Sequence, residues 1–484
     1  MKNEPMNQDN LKTKYLLKLK ESMTLSPRDC NAIILAFEKA FAYFDDIGIT
    51  IKEAISRFGD DPLGDFYKTP DLNEWYQLDN AAKVYPLSMT YANIKLFRVS
   101  AYLKMPIIEP ILQIALLVTM KRFPIFSSTL RKGVFWHYLD AIRVFFPVEP
   151  EQYMPCSSFD ISSGYSPNFK IKYYGNRISL EAFHALSDGA GALVFLKTLI
   201  AEYLKLLGED IKSDPEIFDV SGTPDASEFV NAFPSVDEAL NKQTLAEKKA
   251  LHLKGRVTQI KPAKLCHYIM SANELLNIAR QHNTTLSVIM LSAILLSAKS
   301  AVTKKKGEIH VDVPVNMRKF YPSHSLLNFS MYGVLCFDVS EINDFNSLIP
   351  IVAKELKAKT SKEYMDSKIS WINGIVNNPF VRKIPLSIKG FIFRTVYKIL
   401  GEKSVTATFS NLGTVHCDFN DKVEMFDFIL GPTTVNIAGC AMGSYNDKLV
   451  LTITKVTLNS KFENSMLKYL RDLGLDIEVK EVSI

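Results

Sequence analysis

Residue types that could carry chemistry are concentrated in residues 184–189, which read His-Ala-Leu-Ser-Asp-Gly. Histidine suits general-base catalysis because the unperturbed pKa of an imidazole lies near neutrality. A neutral His184 could therefore take the proton from an attacking hydroxyl, amine or thiol. Asp188 follows four residues later and precedes Gly189, so the spacing is His-x-x-x-Asp-Gly. This pattern predicts a catalytic base in a turn that a carboxylate helps to hold.

The carboxylate of Asp188 needs a partner if it is buried, because an unpaired buried charge is costly. Arg318 is the candidate, since it lies at the end of a predicted strand that reads Val-Pro-Val-Asn-Met-Arg. Asp188 also suits the N-cap of a helix that begins at Gly189, and one side chain can cap and pair together. For His184, the alternative is a core histidine whose ring is satisfied by its neighbours.

Two other kinds of site are disfavoured in this segment. A triad of Ser187, His184 and Asp188 would take all its members from one short turn, whereas catalytic triads take them from separate segments. A metal site would need ligands beyond His184 and Asp188, and none is suitably spaced nearby. We therefore expect no metal at this site.

The sequence around His184 predicts how the residue is positioned. Strand-like stretches at residues 169–174 and 178–183 flank Gly-Asn-Arg at 175–177, which predicts a hairpin with a three-residue turn. Side chains alternate along a strand, so His184 continues one face of the second strand and stands at its end. An apolar stripe predicts a helix over residues 189–207. A reactive group between a strand end and a helix start is well placed to meet a substrate.

The His-x-x-x-Asp-Gly segment resembles the motif of the chloramphenicol acetyltransferase-like superfamily. That superfamily includes carnitine acyltransferases, plant acyltransferases, wax-ester synthases, alcohol acetyltransferases and peptide-synthetase condensation domains. Other stretches resemble the alcohol acetyltransferase branch, and they are WYQLDNAA at 75–82, RFPIF at 122–126, PVNMR at 314–318 with NF at 328–329, and FSNLG at 409–413. The resemblance covers about residues 73–484 and leaves the N-terminal segment outside it.

The resemblance implies two similar lobes, each a mixed sheet backed by helices. It also implies a tunnel at the interface between the lobes, which the acyl donor and the acceptor enter from opposite ends. In this arrangement His184 is the general base. Asp188, Gly189 and Arg318 then have a structural role and orient the motif rather than react.

The function that the resemblance implies is that of an acyl-CoA-dependent O-acyltransferase. A CoA thioester would be the cosubstrate, a small alcohol or amine would be the acceptor, and no cofactor would stay bound. The acceptor, deprotonated by His184, would attack the thioester directly, so no acyl-enzyme would form. Ser410 and Asn411 lie in a second-lobe segment that would approach the tunnel. Their hydroxyl and amide groups could bind the substrate and help to hold the oxyanion.

Two alternatives remain open at this point. The first is a condensation-domain-like enzyme that forms an amide or ester from a carrier-protein thioester. Condensation domains usually have two adjacent histidines, and Phe183 stands in place of the first. This difference favours a free-standing acyltransferase. The second alternative is a non-catalytic binding protein of the same fold, whose sign would be a broken motif, and here the motif is intact.

The order of the predicted elements indicates an α+β fold with two lobes rather than a doubly wound sheet. Residues 1–72 predict a helical extension in which Ser26 caps a helix that begins at Pro27. Residues 73–255 predict the first lobe, which carries the motif and ends in a polar crossing linker with a surface helix near 236–251. Residues 256–484 predict the second lobe.

Periodicity predicts the remaining elements of the two lobes. The predicted strands are at 95–103, 133–139, 264–270, 308–315, 331–339, 405–410, 425–430 and 448–457. The predicted helices are at 107–121, 273–282, 285–303, 345–365, 381–400 and 461–473.

Composition limits the classes of partner. A net charge of +5 from 57 basic and 52 acidic residues, without a basic arm, argues against a nucleic-acid binder. Six scattered cysteines without a Cys-x-x-Cys pair indicate reduced core residues and a cytoplasmic protein. The longest apolar stretch, residues 106–120, is interrupted by Glu109 and Gln113 and is too short to span a bilayer.

A basic and apolar stretch at residues 382–403 could contact a membrane. It contains six Lys or Arg residues against Glu402 alone, and large apolar side chains lie among them, including Ile384, Leu386, Phe391, Ile392 and Val396. Such a stretch could attract the phosphates of CoA or lie on an anionic membrane. The alternative is an ordinary solvated helix face.

Overall fold

The computed structural model describes residues 8–68, 74–89, 95–156, 166–212, 214–236, 249–259, 261–396, 404–433 and 435–483. The helices in these ranges are α1 Gln8–Ser22, α2 Pro27–Asp46, α3 Ile51–Phe58, α4 Val84–Ser88, α5 Glu109–Met120, α6 Gly189–Leu206, α7 Ala272–Gln281, α8 Leu286–Ala301, α9 Phe345–Lys359, α10 Lys362–Asn377, α11 Pro379–Lys383, α12 Leu386–Val396 and α13 Lys461–Asp472. The strands are β1 Trp75–Gln77, β2 Leu96–Leu103, β3 Ser128–Lys132, β4 His137–Ala141, β5 Val148–Pro150, β6 Phe169–Tyr174, β7 Arg177–Phe183, β8 Lys264–Ser271, β9 Glu308–Asn316, β10 Ser330–Asp338, β11 Ala407–Thr414, β12 Val423–Leu430, β13 Ala438–Tyr445, β14 Lys448–Lys455 and β15 Glu478–Ser483.

Two large mixed sheets form the centres of two lobes. The five-stranded sheet has the order β12-β2-β7-β6-β5 and is backed by α5 and α6. The seven-stranded sheet has the order β10-β9-β11-β13-β14-β8-β15, with α8 and α13 packed together beside it. A small antiparallel sheet, β1-β4-β3, lies outside both. The predicted α+β fold with two sheets backed by helices is therefore confirmed.

Strand β12 connects the two lobes. It belongs to the second half of the chain but pairs antiparallel with β2 of the first sheet, from Val423 opposite Leu103 to Leu430 opposite Phe97. Its other contacts are with β13 and β14 of the second sheet. Asp427 on β12 accepts hydrogen bonds from Tyr102 at 2.7 Å and interacts with His267 at 3.0 Å. The first sheet is thus completed by a segment that lies beyond the predicted lobe boundary at residues 255–256, and the boundary itself stays a prediction.

The N-terminal helices cover the outside of the first lobe. Residues 111–120 of α5 are buried on every side, as expected of a helix that is apolar around its whole circumference. Helix α2 covers the face of α5 that the sheet leaves open, and Phe41 packs edge-on against Phe58 at 5.1 Å. The predicted start of α2 is confirmed, because Ser26 Oγ accepts a hydrogen bond from the Asp29 amide at 3.2 Å. The extension therefore shares one hydrophobic core with the first lobe.

The hairpin before His184 differs from the prediction in its turn. Tyr174 pairs directly with Arg177, so the turn has two residues, Gly175 and Asn176, and the prediction of three was wrong. Gly175 adopts a positive φ of 57°, which a glycine reaches without strain. Arg177 therefore belongs to the strand and leads directly into the sequence that ends at His184.

Two predicted long helices are each divided in the structure. The helix predicted over 345–365 ends at Lys359, and α10 begins after Ser361, whose Oγ accepts a hydrogen bond from the Tyr364 amide at 3.2 Å. The helix predicted over 381–400 is divided into α11 and α12 at Pro385, because proline disfavours helical conformation in the residue before it. Apolar spacing continues across both breaks and therefore does not reveal them. Residues 397–400 of the second prediction lie outside the described residues.

Two further elements differ from the prediction, and one predicted helix is not tested. Strand β13 was missed because it is rich in glycine and alanine, which strands disfavour. A Cβ at Gly443 would lie 2.3 Å from the ring of Phe428, so a small residue is required where β12 crosses β13. The strand predicted from 133 begins only at His137, after a turn closed by the Gly133 amide. The helix predicted at 236–251 falls mostly outside the described residues.

Apolar helices lie inside both lobes. In the described part of the chain, no single helix is long and apolar enough to cross a bilayer. Helices α7 and α8 meet the length and composition required only when taken together, and a bend of 88° separates them. Residues 288–298 of α8 are buried in the second lobe.

Replacement of Phe41 with alanine tests whether the N-terminal helices stabilise the first lobe. The ring is fully buried in the shared core, so we expect the free energy of unfolding to fall by about 3–5 kcal/mol. The matched control is Leu17→Ala on α1, where the side chain is 53% exposed and the expected loss is below about 1 kcal/mol. Urea unfolding measures both, and equal losses would contradict a shared core.

Candidate active site

His184 follows directly after the last residue of β7, where the first sheet ends. Its backbone N–H donates to the carbonyl oxygen of Lys95 at 2.9 Å, which fixes it beside the start of β2. The imidazole lies between two aromatic rings, with centroid distances of 5.2 Å to Tyr85 and 4.8 Å to Phe97. The ring therefore has little freedom to turn, and it faces a cavity.

The environment of the imidazole favours its neutral form. His184 Nδ1 is buried and forms no hydrogen bond to another described residue. Burial lowers the pKa of His184 below its ordinary 6.5, which outweighs the opposing effects of the Asp188 charge and of a hydrogen bond to its own backbone. At neutral pH the ring is therefore uncharged, as a general base must be.

Asp188 both caps helix α6 and pairs with an arginine of the second lobe. Its Oδ1 accepts from the Gly191 amide at 3.0 Å. Its Oδ2 accepts from Arg318 Nη1 at 2.7 Å and from the Phe329 amide at 2.8 Å. The two roles considered for Asp188 are thus present together in one buried carboxylate.

Arg318 ties the segment around residues 325–329 to the loop that carries His184. Its Nη2 donates to the carbonyl oxygens of Ser325 at 2.6 Å and of Leu327 at 3.0 Å. Ser187 Oγ donates to the intervening carbonyl of Leu326 at 2.6 Å. Two adjacent residues of the turn, Ser187 and Asp188, are therefore attached to the second lobe by hydrogen bonds.

Two glycines allow this close approach. A Cβ at Gly189 would lie 2.4 Å from the side chain of Leu412 in β11. A Cβ at Gly191 would lie 2.4 Å from Ser187 Oγ and 2.5 Å from the carbonyl oxygen of Leu326. The sequence motif includes Gly189 but not Gly191. The signal for Gly191 was the run Gly-Ala-Gly at 189–191, which places a second small residue on the same turn.

The strand that carries His184 also holds a buried ion cluster. Glu181 on β7 accepts from Arg98 at 2.6 Å and from the Cys156 amide at 2.7 Å, and it lies 3.0 Å from Lys172 Nζ. Burial alone would raise the pKa of Glu181, but the charges of Arg98 and Lys172 outweigh burial and hold it at about 2. Because these charges satisfy one another, the cluster fixes β7 to β2 and β6.

A cavity of about 470 Å³ lies beside His184, between the two halves of the chain. Its walls are mainly aromatic and aliphatic, and they include Tyr85, Leu96, Trp136, Met331, Trp371 and Phe393. Charged groups in the lining are Lys95, Lys368, Lys455 and Asp312. The cavity therefore presents mostly hydrocarbon to a ligand, with an excess of positive charge.

Ser410 and Asn411, predicted to bind substrate, are not among the residues that line this cavity. Thr408, on the same strand, does line it. Asn411 is exposed, and it donates to Ser287 Oγ at 3.0 Å and accepts from the Gly413 amide at 2.9 Å. A substrate-binding role for Ser410 and Asn411 stays a prediction.

Asp79 is a buried carboxyl near the site that the sequence did not single out. Its Oδ1 accepts from the Ala82 amide at 2.7 Å. Burial raises the pKa of Asp79 to about 7, and the charge of Asp188 adds to the effect. The sequence signal for Asp79 was its position in the stretch at 75–82, which is one of the stretches that carry the family resemblance.

Solved structures of other proteins share this fold. F. sporotrichioides TRI101, in complex with coenzyme A and T-2, matches with a TM-score of 0.55 and 11% identity over 83% of this chain and 99% of that protein. TRI3 trichothecene 15-O-acetyltransferase from Fusarium sporotrichioides matches with a TM-score of 0.51 and 12% identity over 84% and 98%. The epimerization domain from the third module of tyrocidine synthetase B matches with a TM-score of 0.54 and 11% identity over 83% and 96%.

These likenesses define the class of fold. The chain has the two-lobed fold of the TRI3 O-acetyltransferase, of TRI101 and of an epimerization domain from a peptide synthetase. The fold that the sequence resemblance implies is therefore confirmed. No protein-family model matches the chain, and no curated protein matches it in sequence.

Replacement of Asp188 with alanine tests its role as the link between the motif and the second lobe. The change leaves the charge of Arg318 and the amides of Gly191 and Phe329 without their acceptor, so we expect a loss of about 3–5 kcal/mol in the free energy of unfolding. Asp472→Ala is the control, because its ion pair with Lys468 is exposed to solvent and its loss should change the free energy of unfolding little. A similar loss in both variants, measured by urea unfolding, would contradict the linking role.

Proposed function

We propose that this protein is an acyl-CoA-dependent O-acyltransferase in which His184 is the general base. The observation that carries the proposal is the imidazole of His184, which packs against Tyr85 and Phe97 and faces an apolar cavity between the two lobes. The fold shared with an O-acetyltransferase and with a coenzyme A complex supports the same class of reaction. The intact His-x-x-x-Asp-Gly motif supports catalysis rather than binding alone.

The proposed reaction needs one base and no covalent enzyme intermediate. His184 takes the proton of the acceptor hydroxyl as the oxygen attacks the thioester carbonyl. The tetrahedral intermediate then expels the thiolate of CoA, which receives the proton from the imidazolium. One ester bond forms, one thioester bond breaks, and His184 returns to its neutral form. Holding donor and acceptor in one cavity supplies a large part of the rate.

Asp188 has an indirect part in this scheme. Its oxygens are used by Gly191, Arg318 and Phe329, so it holds the turn rather than the ring. Its negative charge nevertheless favours the protonated imidazole. This charge would stabilise the imidazolium that forms during attack, while burial keeps the resting ring neutral.

The cavity favours substrates with a substantial apolar part. Its walls carry Trp136, Trp371 and Phe393, and a volume of about 470 Å³ is within the usual range for small-molecule sites. We therefore propose that the acyl chain, the acceptor or both are largely hydrocarbon.

Release of the CoA thiol is the direct assay. The purified protein is offered acetyl-CoA to palmitoyl-CoA with a panel of alcohols and amines. We expect acceptor-dependent release that falls at least about a hundredfold in His184→Ala, because the base is lost while the fold is kept. His282→Ala, at the end of α7 in the second lobe, should retain activity.

Equal release by His184→Ala and by the unchanged protein would overturn the assignment of the base. No release from any CoA thioester, together with turnover of a carrier-protein thioester, would favour a condensation-type reaction instead. Melting curves of both histidine variants show whether a loss of activity reflects chemistry or unfolding.

The pH dependence of kcat/KM tests the state of His184. Because its pKa lies below 6.5, the imidazole stays neutral at pH values where an ordinary histidine is protonated. We therefore expect activity to persist as pH falls and the acidic limb of the profile to lie below 6.5. The profile is measured with two acceptors of different acidity. A limb that moves with the acceptor reports the ionisation of the substrate, and a limb that stays reports that of the enzyme. A limb above 6.5 with both acceptors would contradict a desolvated neutral base.

A further inference from the structure

Two consecutive short helices, α11 and α12, and the turn at 133–136 expose large apolar side chains. We call it the α11–α12 face, and its apolar members are Val134, Phe135, Phe380, Ile388, Phe391 and Ile392. Phe380 is 83% exposed, Val134 72% and Phe391 68%. Exposed apolar residues are usually scattered, and contiguous groups of them mark interaction sites.

Helix α12 presents its apolar side outward. Ile388, Phe391 and Ile392 follow the i, i+3, i+4 spacing of one helix face, and all three are exposed. Lys389, by contrast, is buried with only 1% of its surface accessible. A surface helix of a globular protein normally has the opposite orientation. The outward side of α12 is therefore built to meet an apolar environment.

The turn at 133–136 is joined to this helix and extends the same surface. The Leu386 amide donates to the carbonyl oxygen of Val134 at 2.9 Å. Lys389 Nζ donates to the carbonyl oxygen of Phe135 at 2.9 Å and lies 3.5 Å from the centroid of the Trp136 ring. These contacts hold the exposed side chains of Val134 and Phe135 next to α12.

The charge of the face has one sign. Residues 379–396 contain four basic side chains and no Asp or Glu. Lys389 is used inside the protein, whereas Arg382, Lys383 and Arg394 are exposed. Apolar side chains surrounded by arginine and lysine suit an interface with anionic headgroups above hydrocarbon.

The same elements form part of the wall of the active-site cavity. Trp136 and Phe393 line the cavity, and each is adjacent in sequence to exposed members of the face. Trp371 and Ile375 of α10, the helix before α11, line it as well. Whatever covers the α11–α12 face therefore lies close to one wall of the cavity.

We propose that the α11–α12 face docks the protein on anionic phospholipid bilayers. Phe380, Phe391 and Val134 insert at the level of the headgroups and upper acyl chains. Arg382, Lys383 and Arg394 bind the anionic headgroups. Docking is reversible and peripheral, because the apolar side chains lie on two short helices and one turn. It does not depend on the catalytic assignment of His184.

Co-sedimentation with vesicles tests the docking in the absence of any substrate. The full chain is mixed with vesicles of phosphatidylcholine, with or without phosphatidylserine. We expect stronger binding to the anionic vesicles, and a decrease with added salt because headgroup charges are screened. Phe380→Ser/Phe391→Ser should weaken binding at least about tenfold. Arg382→Gln/Lys383→Gln/Arg394→Gln should weaken it about tenfold or more, and only on the anionic vesicles.

Two control variants match these changes elsewhere on the surface. Tyr153→Ser/Tyr174→Ser replaces aromatic side chains that are 70% and 66% exposed. Substitution of the three lysines at 304–306 by glutamine removes the same number of positive charges. Both variants should bind vesicles as the unchanged protein does. All the replaced side chains are exposed, so each variant should fold as the unchanged protein does. Melting curves check this.

Three results would overturn the proposal. The first is no sedimentation of the unchanged protein with either kind of vesicle. The second is equal binding by the unchanged protein and by Phe380→Ser/Phe391→Ser. The third is a dimer in light scattering that Phe380→Ser/Phe391→Ser abolishes, without vesicle binding, which would assign the face to a second copy of the chain.

Discussion

The buried carboxylate of Asp188 is the constraint on which the site depends. It takes one hydrogen bond from the helix it caps and two from the other half of the chain, through Arg318 and the Phe329 amide. A carboxylate removed from water needs such partners, because an unpaired buried charge costs several kcal/mol. The start of α6 and the segment that follows β9 must therefore meet in the folded protein. The turn that carries His184 lies where these two segments meet. The hydrogen bonds of Asp188 therefore both position the base and join the lobes.

Two different kinds of contact hold β7 and the base at its end. On one side, the ion cluster of Glu181, Arg98 and Lys172 fixes the strand to its neighbours by charge. At its end, His184 is fixed by aromatic contacts with Tyr85 and Phe97 that leave its ring desolvated. Polar interactions thus hold the scaffold, while apolar contacts set the protonation state of the group that would react. A base that was held by ion pairs as Glu181 is would be better fixed but less able to accept a proton.

Features that depend on short stretches of sequence could be predicted, and features that depend on distant pairing could not. The hairpin, helix α6 and the His-x-x-x-Asp-Gly turn follow from local alternation and spacing. The link from Asp188 to Arg318 needed the family resemblance as well as the position of Arg318 at a strand end. No local pattern indicates that β12 joins the first sheet, that Gly443 must be small to let it pass, or that the Phe329 amide is bound by Asp188. The orientation of α12 was hidden for another reason, since periodicity identifies an apolar side but not the direction it faces.

The crossing of β12 has a consequence for the synthesis of the protein. Strand β2 has β7 on one side from an early stage, but its other side is filled only when β12 has left the ribosome. At about 5–20 residues per second, the delay is on the order of tens of seconds. During that time the nascent first lobe presents an open strand edge, and such edges pair readily with other chains. The lobe whose translation begins first is therefore closed only after most of the chain has been made, and its open edge needs protection until then.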